Sequence, residues 1–316
     1  MSSSRDNEIY GIAVKGINER REVIYVVSED TRKILCEFGK IFADLAKISG
    51  NFILPETNDE LICLATNILR AKRTGEPITL YTPLCPDWSM DSEGRYDFKS
   101  LSGSESFIAK KFFRYSPELL RVFVSHGVPY KGILIFADWG METEIMDKNT
   151  YGTTLTQEDI RMCFDSSFAA VDEHLGRLQQ DHSTNELYAP FKAVLMTGFF
   201  EGLELDLDDL DAQFRRFFGE HKDGKRLYQR LAAESYPINH ERMGLSKEKS
   251  DAEVLENLVD YAIFGQALSG YGMIIACESR TTSIGYNIAR SANDKVPMFF
   301  VKGKGKDSGV NILQSI

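Results

Sequence analysis

Gly132-Ile133-Leu134-Ile135-Phe136-Ala137 is the stretch on which the fold turns, and Asp138-Trp139-Gly140 follows it directly. Its side chains are apolar throughout, which reads as a short strand covered on both faces, as in parallel sheets. Upstream, residues 105–126 carry a helical pattern, and downstream 156–178 carry another. A buried strand between two helices is the local signature of a βαβ chain. Further out, 78–81 and 273–277 repeat the apolar strand signal. A short helix over 283–292 and a strand over 297–301 then complete a second βαβ unit. The expected class is α/β: a Rossmann-like, mostly parallel sheet with flanking helices and a helical insertion.

The remaining elements fill in around these strands. Residues 9–14 and 23–27 read as short strands about the charged turn Asn18-Glu19-Arg20-Arg21. Ile34, Phe38, Ile41, Phe42, Leu45 and Ile48 recur at helical spacing up to Gly50. Thr57 and Glu60 have capping-box spacing before a second helix that Gly75 stops, and Thr156 and Asp159 form another cap pair. Ser116-Pro117 is expected to break the 105–126 helix, with serine as cap and proline in the first turn of the restart. Periodicity leaves 191–200 open between strand and buried helix. Residues 206–218 and 225–235 read as charged helices, and Ser250 with Glu253 as the cap of the next one. The expected division is 1–150 as the N-terminal part of the α/β domain, 151–245 as a helical insertion or lobe, and 246–316 as the C-terminal βαβ part.

Composition narrows the function classes. The chain has 316 residues, 43% hydrophobic and 27% charged, with a net charge of −10. Tracking a nucleic-acid backbone needs a cationic face, so nucleic acid is an unlikely partner, despite the small basic patch Lys302, Lys304 and Lys306. A small-molecule substrate is the expected partner. Five cysteines without CxxC spacing suggest reduced thiols and a cytoplasmic location, and Cys36, Cys63 and Cys163 read as small hydrophobes on helices. No apolar run approaches the roughly 20 residues of a membrane span, and no signal peptide is expected. The five histidines are dispersed without paired spacing, so no metal site is expected. Nothing in the spacing names a cofactor or an oligomeric state.

In open parallel sheets ligands collect beyond the carboxyl ends of the strands. That rule selects three polar loops: 82–103, 138–144 and 278–286. In the last, Glu278 is the first residue beyond the strand. Ser279, Arg280, Thr282 and Ser283 lead into a helix start, where free N–H groups, hydroxyls and a guanidinium suit a carboxylate or phosphate. The blander reading makes Thr282 or Ser283 a simple N-cap and Arg280 a surface ion pair. Asp138 occupies the equivalent place in the middle loop, followed by Glu142 and Glu144; a solvated acidic turn is the alternative. Glu278 and Asp138 are the candidate catalytic carboxylates, able to exchange a proton or hold an ammonium group. In the first loop Asp87, Trp88, Arg95 and Tyr96 are candidate substrate binders, and Ser102-Gly103-Ser104 forms a second anion nest. Cys85 has no histidine near it in sequence to activate it as a nucleophile. Arg230 and Glu234, four apart, read as a helix ion pair.

The segment PITLYTPLCPDWS, a helical span, and then GILIFADWG resembles the isocyanide-synthase family of pyoverdine and dityrosine biosynthesis. The matching positions are Pro83 through Ser89 and Asp138 through Gly140, about a fifth of the chain with the span between them. Asp87-Trp88 stands where that family carries a basic residue, and Trp139 separates its acidic residue from the glycine. The resemblance implies joining an amino-acid amine to a phosphorylated sugar. The leading expectation is a biosynthetic transferase acting on an amino acid or phosphorylated metabolite. A non-catalytic ligand-binding module and a tRNA-using synthase of the cyclodipeptide type, also Rossmann-like, are the rivals.

Overall fold

The computed structural model describes residues 12–17, 23–27, 29–48, 52–53, 58–84, 89–90, 96–97, 107–136, 157–268, 271–277 and 298–301. Its centre is a six-stranded sheet of β3 (Phe52–Ile53), β4 (Ile78–Leu84), β7 (Tyr130–Phe136), β8 (Phe191–Leu195), β9 (Gly272–Cys277) and β10 (Met298–Val301), in the order β3-β10-β9-β4-β7-β8. Every pairing is parallel except that of β3, a two-residue edge strand antiparallel to β10. Counted along the chain, the five parallel strands lie in the order 3-2-1-4-5, the Rossmann arrangement. The fold is therefore α/β and Rossmann-like, as the alternating pattern implied. β1 (Ile12–Ile17) and β2 (Val23–Val27) pair antiparallel as a separate hairpin, as do β5 (Ser89–Met90) and β6 (Tyr96–Asp97).

Helices cover both faces. One layer includes α1 (Glu29–Lys47), α2 (Asn58–Thr74), α3 (Phe107–Ser125), α4 (Gln157–Gln180) and the short α5 (Asn185–Tyr188). Their buried side chains meet Ile78, Leu80 and Leu84 of β4, Leu134 and Phe136 of β7, and Met273 and Ile275 of β9. The alternate residues Tyr81, Ile135, Ile274 and Ala276 face the other layer: α6 (Met196–Glu201), α7 (Leu207–Glu220), α8 (Lys222–Met243) and α9 (Lys247–Ala267). This strict alternation follows from side chains pointing to opposite faces of a strand. The stretch 157–245 thus supplies α4 and α5 to one face, β8 to the sheet edge, and α6 to α8 to the other face.

Several local expectations are corrected. Helix α3 runs unbroken through Ser116-Pro117. Proline there removes one backbone hydrogen bond, yet Phe112, Phe113, Ser116, Leu119, Leu120 and Phe123 form one buried stripe that holds the helix together. Ser116 is no cap; its buried hydroxyl lies 2.7 Å from that of Tyr188. Likewise α8 continues past Pro237 to Met243 and stops at Gly244, whose φ of +66° lies in the left-handed region that favours glycine. The cap of α9 is Ser246, accepting from the Lys249 amide at 3.3 Å, rather than Ser250, which is buried inside the helix. Residues 191–200 are both readings in turn, strand β8 and then helix α6. Cys36 is exposed on α1 rather than packed as a small hydrophobe. Among the described ion pairs Arg230–Glu234 does not occur, and both residues are exposed.

Candidate functional site

Strand β4, first of the parallel strands in the chain, sits between β9 and β7. Crossovers leave β4 in one direction across the sheet and reach β10 in the other, so the switch point lies between β4 and β9. The in-register pairs Leu84↔Phe136, Phe136↔Leu195 and Cys277↔Val301 put all five strand ends on one edge. Adjacent strands lie about 4.8 Å apart, so the ends of β9, β4 and β7 fall within about 10 Å. The three polar loops leave the sheet from this one edge.

The two ladders of β4 behave differently. With β7 it pairs along its whole length, to Leu84↔Phe136. With β9 the pairing stops at Tyr81↔Ile274, three residues short of each strand's end. Pro83, which has no N–H to donate, lies two residues beyond that last pair. The hydrogen-bonded β4–β9 register therefore ends short of the carboxyl edge, at the switch point itself.

The expected first loop is corrected at its start: Thr82, Pro83 and Leu84 belong to β4 and are buried. Thr82 shares the face of Leu80 and Leu84, has no exposed surface, and its Oγ1 has no hydrogen-bond partner. A buried hydroxyl without a partner costs roughly 1–3 kcal/mol, so its presence among leucines needs a reason. The expected polar loop began at residue 82, so Thr82 was passed over as a strand position. A period-two count from Leu80 would have put Thr82 on the apolar face. Lys111, buried on α3, and Asn67, whose Nδ2 donates to the Gly272 carbonyl at 3.0 Å, were also missed.

Of the candidate residues, Tyr96 is placed in the β5–β6 hairpin opposite Met90. Glu278, Asp138, Ser279, Arg280, Thr282, Ser283, Asp87, Trp88, Arg95, Ser102, Ser104 and Glu142 lie outside the described residues. By covalent continuity Glu278 is one residue past Cys277 and Asp138 two past Phe136.

A second group of titratable residues lies in the α7–α9 layer. Arg215 donates to both oxygens of Glu256, at 2.8 and 2.5 Å, and to Asp211 at 2.7 Å. Those two carboxylates hold its guanidinium charged. Burial, and then the Glu256 charge, push the Asp260 carboxyl up to about 7 against the pull of Arg215. Burial alone raises Glu253. Among the described residues no three potential metal ligands cluster, and no helix is long and apolar enough to cross a membrane.

No family model matches the chain, and no curated protein matches it. A comparison with solved structures finds likenesses at low similarity. The PvcA protein from Pseudomonas aeruginosa is 11% identical, with 83% of this chain and 82% of that one covered at a TM-score of 0.42. Tryptophanyl-tRNA synthetase from Aeropyrum pernix K1 is 15% identical at a TM-score of 0.38, over 84% of this chain and 60% of that one. A tryptophanyl-tRNA synthetase homolog from Entamoeba histolytica gives 10% and 0.38, over 84% and 59%. At such values the likeness says nothing of chemistry.

Proposed function

We propose that this protein is a small-molecule biosynthetic enzyme, a transferase that takes an amino acid or a phosphorylated metabolite at the carboxyl edge between β4 and β9. The observation that carries this reading is the early end of the β4–β9 ladder. It falls at the switch point, where parallel α/β folds bind ligands, and polar loops follow on both sides. Glu278 and Asp138 serve as the proton-exchanging or ammonium-holding carboxylates, one from each flank of β4. Arg280, Ser279, Thr282 and Ser283 hold the substrate's anionic group at a helix start. Asp87, Trp88, Arg95, Tyr96, Ser102, Ser104 and Glu142 contribute the approach to the cleft. The resemblance to isocyanide synthases agrees with an amine-bearing substrate and a phosphorylated co-substrate.

A thermal-shift screen across amino acids, nucleotides and sugar phosphates finds the ligand, and Arg280→Ala tests the site. Loss of a charge-assisted hydrogen bond weakens the best anionic hit by about ten- to a hundredfold. The denaturant midpoint should move by no more than about 0.5 kcal/mol in stability. A variant that binds normally but melts well below the parent makes Arg280 a structural ion pair and removes the anion site from this loop.

A further inference from the structure

Helix α7 has three sides, and two of them are occupied. Leu207, Leu210, Phe214 and Phe218 share the core with α8, α9 and the sheet, and Asp211 and Arg215 meet next to Glu256 of α9. The third side carries Asp209, Ala212, Gln213, Arg216 and Glu220, all exposed. Steps of three and four residues set these five in one stripe along the helix. Charge reverses along that stripe. Glu201, Glu204, Asp206, Asp208 and Asp209 are exposed at its start, with no cation between 201 and 209. At its end Arg216, Lys222, Lys225 and Arg226 are exposed about the α7–α8 corner, against Glu220 and Asp223. Among the described residues none of those four cations joins an ion pair, although Glu220 stands one turn beyond Arg216. Acids suit the first turn of a helix, so the dipole accounts for the start of the stripe, but it does not account for the unpaired cations. Phe217, stacked on His221 with ring centroids 4.9 Å apart, is 39% exposed beside Arg216.

We propose that this stripe is the contact face of a homodimer, in which α7 packs antiparallel on α7 of a second copy about a two-fold axis passing between Ala212 and Gln213. Positions equidistant from the axis then face each other, so Asp209 meets the partner's Arg216 at two symmetric contacts. A two-fold axis joins a patch to itself, and the patch must therefore be complementary to its own rotated image. A stripe acidic at one end and basic at the other meets that demand when antiparallel, whereas parallel packing would set acid on acid. The same reversal selects a second copy over a foreign partner. A basic protein would be repelled at the corner and an acidic one at residues 201–209, while this chain carries both ends at the right separation. That separation is about 21 Å for the 14 residues of α7. Ala212, next to the axis, presents only a methyl group, so the helices can approach to the usual 8–10 Å or so. The net charge of −10 opposes association in any other register, which leaves the local match to set both orientation and salt dependence.

The test is sedimentation equilibrium of the full chain, with circular dichroism to confirm that each variant keeps its helices. The parent should dimerise at low salt, and the dimer should weaken by about tenfold or more near 1 M salt, where charges are screened beyond about 3 Å. Arg216→Asp and Asp209→Arg each set like charges at both symmetric contacts, so either variant alone should be monomeric where the parent is dimeric. Mixed in equal amounts the two should dimerise again, because a copy with acids at both positions then meets a copy with arginines at both. Ala212→Glu keeps a good helix former on an exposed position and sets two carboxylates beside the axis, so it too should dissociate the dimer. A parent that is monomeric at every concentration reached in low salt would overturn the proposal. So would a dimer indifferent to Ala212→Glu, or a mixture of the two reversed copies no more associated than either alone. Should a reversed copy fail to fold, Ala212→Glu and the salt series decide the matter between them.

Discussion

On the face covered by α1 to α5 the sheet meets rings. Phe112, Phe113, Phe123, Tyr130, Phe136, Phe164, Tyr188 and Phe191 are all buried there, with several ring pairs at centroid distances of 5.4 to 6.1 Å. Among its buried polar atoms Ser116 pairs with Tyr188 and the Tyr130 hydroxyl donates to the Leu187 carbonyl at 2.8 Å, while nearer the surface Lys72 pairs with Glu37 and His126 with Asp44. On the face covered by α6 to α9 the contact with the sheet is mostly aliphatic, and ionisable groups lie between the helices themselves. There Arg215 joins α7 to α9 through Glu256, Asn239 of α8 donates to Ser250 of α9 at 3.0 Å, and Asp260 sits half-buried beside the network. The first layer is held mainly by ring packing, with the pairs Lys72–Glu37 and His126–Asp44 nearer its surface. The second is held partly by charges whose state depends on pH.

The largest effect that could break this contrast is on the aromatic face. Phe112→Ala removes a fully buried ring that packs on Phe113 and Phe191, and should cost about 3–5 kcal/mol in urea denaturation. A loss below about 1 kcal/mol would mean that the rings are not where this face draws its stability.

An intermediate effect belongs to the ionic layer. The unfolded chain gives up the Asp260 proton near pH 3.8, while the folded chain keeps it until about pH 7. Proton binding is thus stronger in the folded state, so stability from this group is full below pH 4, falls as pH rises from 4 to 7, and is level above. Asp260→Asn should abolish that fall. The variant should gain on the parent by on the order of 2 kcal/mol between pH 4 and pH 8, less than the full shift because the carboxyl is partly solvated. Denaturation midpoints of both proteins at unit pH intervals measure this, and a constant difference across the window would take Asp260 out of the pH response.

The smallest effects should be alike on both faces. Arg177→Ala on α4 and Lys247→Ala on α9 each break an exposed pair four residues apart, with Glu173 at 3.0 Å and Asp251 at 2.5 Å. Each should change stability by no more than about 0.5 kcal/mol, and less in high salt. A larger loss at Lys247 alone would extend the ionic layer to the start of α9.

Much of this architecture was legible in the sequence. The run Gly132 to Phe136, the strand beginning at Ile78 and the run Met273 to Cys277 announced themselves by apolar side chains, and the helices by their stripes. Those signals are local, because the periods of helix and strand are imposed by the backbone on nearby residues. The edge from which the three loops leave also followed, since parallel strands share their carboxyl ends. What local signals could not supply was decided by packing over distance. Pro117 stays inside its helix because a buried stripe outweighs one lost hydrogen bond, and the helix through Pro237 is tied to α9 by Asn239 donating to Ser250. Thr82 to Leu84 stay in β4 because β7 pairs with them throughout, although the polar loop was expected to begin at 82. The order that sets β9 beside β4, and so puts the switch point between them, is written in no single segment. It comes from how the whole set of apolar faces is covered at once, and only the tertiary structure shows that Thr82 is left there with a hydroxyl unpaired.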